Sequence, residues 1–95
     1  DVANDGVADG YALGTAYPNP FNPSTTLEYS LANAGQLNIT VYDMAGRVVE
    51  ELVDGFSNQG AGSVTWNADN HSSGVYFVKM SSGQFTQTQK VVLVK

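Results

Sequence analysis

The chain has 95 residues, nine acids against four bases and a net charge of −5. That length makes one domain, and that charge argues against nucleic acid, which rewards clustered Lys and Arg. There is no cysteine, so a disulfide framework and a thiolate metal site are excluded, although an extracellular location is not.

Surface scaling gives roughly 14,700 Å² for the unfolded chain and roughly 5,300 Å² folded; about 64% is then buried, enough for one modest core. No apolar run approaches a membrane span, so membrane insertion is not expected, and no cleavable signal peptide opens the chain. An exported protein of this kind carries its signal elsewhere, and the chain reads as a fragment of a longer precursor.

Residues 1–10 (DVANDGVADG) are small, acidic and without periodicity. They read as a flexible acidic linker. Asp1, Asp5, Gly6 and Asp9 fall on EF-hand positions, but Ala3 and Ala12 stand where ligands are needed, so no metal site is expected. Residues 11–95 are read as the folded domain, with an edge strand around 12–17.

All three prolines lie in Tyr17-Pro18-Asn19-Pro20-Phe21-Asn22-Pro23. Each fixes its own φ and holds the residue before it out of the helical region. Lacking an N–H, such a segment sits at a sheet edge or just outside one. Asn19 and Asn22 can satisfy nearby backbone groups with their amides, and Phe21 between them is expected to anchor the turn on the core.

From Thr25 the pattern becomes alternating. Leu27, Tyr29 and Leu31 make one half-buried strand and Leu37, Ile39 and Val41 a second, with a turn over 32–35 between them. Asp43-Met44-Ala45-Gly46 is a hairpin-sized connection in which Gly46 supplies a positive φ. Residues 47–53 predict a third strand, with Val48 and Leu52 on one side and Val49 and Val53 on the other. Residues 54–62 hold three glycines and read as a loop. A short strand over 63–67 carries Val64 and Trp66 on one face, and 68–73 is another loop. Residues 74–81 are the most β-prone run, and Ser82-Gly83 turns it into a last strand over 84–95. No window has a helical period, and breakers recur about every ten residues, which is the pattern of an all-β sandwich. The expectation is an immunoglobulin-like β-sandwich of about seven antiparallel strands.

Catalytic chemistry is hard to find. His71, the one histidine, lies in a polar loop with Asp69 and Ser72; near neighbours on one loop rarely make a triad, and an exposed loop histidine is expected. Glu50 and Glu51 are adjacent in a strand and point to opposite faces, so they do not pair as acid and base. Trp66, Tyr76, Phe77 and Phe85 can in principle stack on a sugar, but their alternation puts most of them in or at the core. The chain reads as no enzyme and calls for no cofactor.

Four ordered elements carry a family resemblance. Pro18-Asn19-Pro20-Phe21-Asn22-Pro23 precedes a Ser-Thr-Thr strand, and Val41-Tyr42-Asp43 is followed by Gly46-Arg47. Gly62 and Val64-Thr65-Trp66-Asn67 lead to Ser73-Gly74-Val75-Tyr76-Phe77, and the chain ends on Lys90-Val91-Val92-Leu93-Val94-Lys95. The set resembles the C-terminal sorting domain of type IX secretion cargo proteins, related to the immunoglobulin-like domain of the flagellar hook-capping protein. It covers 11–95. Ala16 departs from it, since many members carry Asn there. The resemblance implies sorting-motif roles for Pro18, Asn19, Pro20, Gly46, Arg47, Gly74, Tyr76, Lys90, Val91 and Lys95.

It further implies a larger cargo protein, covalently attached, that passes through the periplasm and meets an outer-membrane type IX translocon. A surface sortase then cleaves the domain and the cargo is secreted or attached to the cell surface. Each element also has a structural reading: Gly46 and Gly74 suit tight strand starts, Trp66 fills a core, and Val91 to Val94 is a buried strand. Lys90, Lys95 and Arg47 are harder to account for that way, and the last strand could serve as an edge for strand addition. The competing reading is a carbohydrate-binding or adhesive β-sandwich appended to a secreted enzyme, which a titration against polysaccharides would separate.

Overall fold

The structure, a computed structural model, describes residues 10–95; the linker and calcium-loop expectations over 1–9 lie outside the described residues. Seven strands follow in chain order: β1 (Ala12–Leu13), β2 (Ser24–Leu31), β3 (Gly35–Tyr42), β4 (Val48–Ser57), β5 (Gly60–Asn67), β6 (Gly74–Ser82) and β7 (Phe85–Leu93). β1, β2 and β5 form one sheet in that order, and β4-β3-β6-β7 forms the other. All strand pairs are antiparallel. Three strands facing four, with β3, β6 and β7 together, is the immunoglobulin-like sandwich, here with β4 on the side of β3.

Period-two burial explains the layering. Leu27 and Leu31 of β2, Leu37, Ile39 and Val41 of β3, Tyr76, Val78 and Met80 of β6, and Val91 and Leu93 of β7 all point inward and are buried. Trp66 of β5 is wholly buried, and its ring meets Phe21 at 5.5 Å and the edge of Tyr76 at 5.1 Å. Such offset and edge contacts add to area burial. The Tyr76 hydroxyl donates to the Ser72 carbonyl at 2.6 Å, pinning the start of β6 to the preceding loop in the manner of a tyrosine corner.

Two expectations about 47–62 are corrected. The loop read over 54–62 is strand on both sides of Asn58-Gln59, where the chain crosses from one sheet to the other. Gly55 lies opposite Leu37, Gly60 opposite Leu31 and Gly62 opposite Tyr29. A large partner across the ladder covers each missing side chain, so cross-strand pairing overrides the poor β-propensity of glycine. Within β4 the ladder slips twice, Val53 facing Ile39, Glu51 facing Thr40, Glu50 facing Val41 and Val48 facing Tyr42. Each bulge resets the alternation. Val49, Leu52 and Val53 therefore all pack against the core, while Val48 is 58% exposed.

Candidate functional site

The proline-rich stretch lies along the outer edge of β7. Its three X–Pro bonds, at Pro18, Pro20 and Pro23, are cis. Asn19 Nδ2 donates to the Lys90 carbonyl at 3.0 Å, and Asn19 Oδ1 accepts from the Val92 N–H at 2.9 Å. Two residues on, the Phe21 N–H donates to the Val92 carbonyl at 2.9 Å and the Val94 N–H donates to the Phe21 carbonyl at 3.0 Å, a parallel bridge between Phe21 and Leu93. A carboxamide carries one donor and one acceptor in the spacing of a peptide group, so Asn19 stands in for a strand residue where proline has no N–H to give. Phe21, 2% exposed, drives the segment into the core as expected.

The other side of the segment is held as firmly. Thr25 Oγ1 donates to the Pro18 carbonyl at 2.7 Å, and the Ala68 N–H to the Pro23 carbonyl at 2.8 Å. Further along β7 the polar residues Gln87 and Gln89 reach β1: Gln87 Oε1 accepts from the Leu13 N–H and Gln89 Nε2 donates to the Leu13 carbonyl. The edge of β7 from Lys90 to Val94 is thus already engaged within the domain, which sequence alone had left open for strand addition.

The ten residues singled out by resemblance gather at one end of the sandwich and divide by burial. Tyr76 and Val91 are core residues paired across β6 and β7. Gly46 (φ 83°) and Gly74 (φ 154°) occupy backbone conformations that side chains disfavour. Pro18, Asn19, Pro20, Arg47, Lys90 and Lys95 face solvent. Lys95 is tied to the loop before β6 through its N–H to Ser73 Oγ and its Nζ to the Asp69 carbonyl. Gly46 and Arg47 sit at the same end on the β4 side, joined to the proline segment by no hydrogen bond among the described residues.

Their hairpin is organised by Asp43. Its Oδ1 accepts from the N–H groups of Ala45 and Arg47 at 2.9 and 3.0 Å, and its Oδ2 pairs with Arg47 Nε at 3.1 Å. The Arg47 N–H, foremost, holds the Asp43 carboxyl below its ordinary value of 3.8; desolvation, next in size, opposes this, and the Ala45 N–H and the Arg47 guanidinium add to the lowering. Arg47 nonetheless keeps an 80% exposed side chain.

His71 corrects another expectation: its side chain is only 25% exposed. The ring lies 5.6 Å from Trp66, with Nε2 3.6 Å from Glu50 Oε1, and that same oxygen accepts from Trp66 Nε1 at 3.0 Å. Glu50 and Glu51 do diverge, being opposite inward Val41 and outward Thr40. Sequence reasoning missed the Glu50–Trp66 bond, whose only signal was a buried indole in need of an acceptor. Of the aromatics considered for sugar stacking, Trp66 and Tyr76 are buried and Phe85 is stacked on Tyr11 at 5.5 Å. Tyr17, not considered, is 81% exposed beside a recess of about 390 Å³ lined also by Gly14, Thr15, Thr26 and Glu28.

The sequence pattern of one family, described as the secretion system C-terminal sorting domain, matches residues 15–95. The chain belongs to that family. The match opens two residues before the proline segment and runs through the strand that this segment clasps. The sorting domain is a C-terminal sorting signal for type IX secretion, and the protein that carries it is secreted or held at the cell surface. Domains of this family are not catalytic. No curated protein matches the chain.

Proposed function

We propose that the sorting domain is read, folded, by an outer-membrane type IX translocon after passage through the periplasm, as the terminal part of a larger cargo protein. The reading extends to removal of the domain by a surface sortase, with attachment of the cargo to the cell surface, and to no reaction of the domain's own. Residues 11–95 are its folded unit and 1–10 its acidic linker. The observation that carries the reading is the clasp: Asn19 and Phe21 bind the edge of β7, so the exposed residues Pro18, Asn19 and Pro20 are held against the strand that carries Lys90 and leads to Lys95. A receptor then meets both distant motifs at once, and only in a folded domain.

Fusing residues 11–95 behind a reporter with a Sec signal peptide, in a host with a working type IX system, tests this. The reporter is expected at the surface or in the medium. Lys90→Gln with Lys95→Gln removes charge and leaves the apolar residues alone; Lys95→Gln also gives up the Nζ bond to the Asp69 carbonyl, so the urea midpoint of the double variant is measured beside its export. Lost export from a folded double variant makes the lysines part of the signal. Retention of the intact fusion in the periplasm refutes the sorting mechanism.

One observation favours a second reading, an accessory saccharide-binding module: the exposed Tyr17 at a recess lined also by Glu28, Thr15 and Thr26. It requires measurable binding of polysaccharide by the isolated domain, weakened by Tyr17→Ala.

A further inference from the structure

The solvent face of the four-stranded sheet carries apolar side chains at the end where the motifs gather. Register sets Val48, Tyr42, Phe77 and Lys90 in one row across β4, β3, β6 and β7. The next row toward the middle is Glu51, Thr40, Lys79 and Thr88. Val75 and Val92 are paired just beyond the first row. Val48 is 58% exposed, and Tyr42, Phe77, Val75 and Val92 are only half-buried. On a half-solvated antiparallel sheet this face is expected to be polar, as it is on the other sheet, where Glu28, Ser63 and Thr65 face out.

Charge is partitioned the same way. All four bases of an acidic chain belong to this sheet or its ends: Arg47 just before β4, Lys79 in β6, Lys90 in β7 and Lys95 beyond it. β1, β2 and β5 contain none. Lys79 and Lys90 project on the solvent face as diagonal neighbours, since Phe77 faces Lys90 and Lys79 faces Thr88. Diagonal neighbours lie about 7–8 Å apart. Both lysines are exposed, and neither is in an ion pair among the described residues. The acids of the face, Glu51 and Asp54, lie on β4, two strands from Lys79 and three from Lys90. Two unpaired like charges beside apolar side chains are relieved when a carboxylate-bearing surface covers them.

Resting on the sorting reading, we propose that this face is where the domain docks on the export machinery. Its occupant is a protein surface that sets carboxylates beside apolar side chains. Lys79, in none of the recognised motifs, is then a specificity residue, and Val48 and Phe77 supply the apolar contact.

The test uses the reporter fusion and outer-membrane vesicles prepared from hosts with and without a type IX system. Lys79→Glu with Val48→Glu reverses the patch at two exposed positions. Ala61→Glu with Ser63→Glu places two carboxylates on the outer face of the other sheet. The intact fusion is expected to sediment with the first vesicles and not the second, and to release as salt rises. The patch variant is expected to lose about ten-fold in vesicle binding and export with an unchanged urea midpoint, while the control behaves as the intact fusion. If the patch variant unfolds, the milder Lys79→Gln is expected to lose binding several-fold. Binding and export of the folded patch variant at the intact level overturn the docking face, as does an equal loss in the control. Failure of the intact fusion to be exported overturns the sorting reading instead, and is seen without any variant.

Discussion

Asn19 and Val92 are 73 positions apart in sequence and joined by a 2.9 Å hydrogen bond from the Val92 N–H to the Asn19 side-chain oxygen. The same carboxamide donates to the Lys90 carbonyl, so a single side chain spans the edge of β7 where a neighbouring strand would otherwise lie. An open edge is a template for pairing with other chains. Here it is closed by the segment whose prolines cannot continue a ladder.

Asn19→Ala removes both bonds at a solvent-facing position and is expected to destabilise the domain by about 1–2 kcal/mol, read as a lower urea midpoint at unchanged m-value. Asn19→Asp keeps the acceptor for Val92 but sets an oxygen against the Lys90 carbonyl. It is expected to be no more stable than the alanine variant, and an Asp variant matching the intact domain would show that Nδ2 contributes nothing.

Trp66 is wholly buried, so its native fluorescence is expected at short wavelength, moving to the red on unfolding. Trp66→Ala is expected to cost about 3–5 kcal/mol, a large share of the stability of a domain this size. Trp66→Phe restores part of the volume but leaves Glu50 without its indole donor, so recovery is expected to be incomplete in denaturant titrations.

The Asp43 carboxyl has its folded pKa below the ordinary 3.8. A depressed acid contributes stability that is present above its unfolded pKa and lost as pH falls through its folded one. The hairpin contribution is thus complete above about pH 5 and fades below about pH 4. Asp43→Asn is expected to be less stable at neutral pH and to show a shallower acid limb in a pH series of urea midpoints. Parallel acid limbs for the two proteins would remove Asp43 from the account.

Gly46 at φ 83° has no atom within 4 Å of where a Cβ would stand. Gly46→Ala is therefore opposed by backbone strain alone, roughly 1–2 kcal/mol, and Gly46→Asn by less because Asn tolerates this region. Thermal unfolding of the two variants is expected to rank Asn above Ala.

Sequence alone determined the all-β class, the inward sets Leu27/Leu31 and Leu37/Ile39/Val41, the Gly46 turn and the anchoring of Phe21. These follow from local rules: a period of two assigns side chains to faces, and only glycine moves freely into positive φ. Tertiary structure decided the rest. Glycines at 55, 60 and 62 became strand because Leu37, Leu31 and Tyr29 lie opposite them. The faces of β4 shifted at two bulges that no local pattern announces. His71 left solvent for Trp66 and Glu50, and the first motif met the last on the edge of β7. Each of these depends on a partner far along the chain, and local periodicity carries no record of which distant residue will lie across a ladder or against an edge.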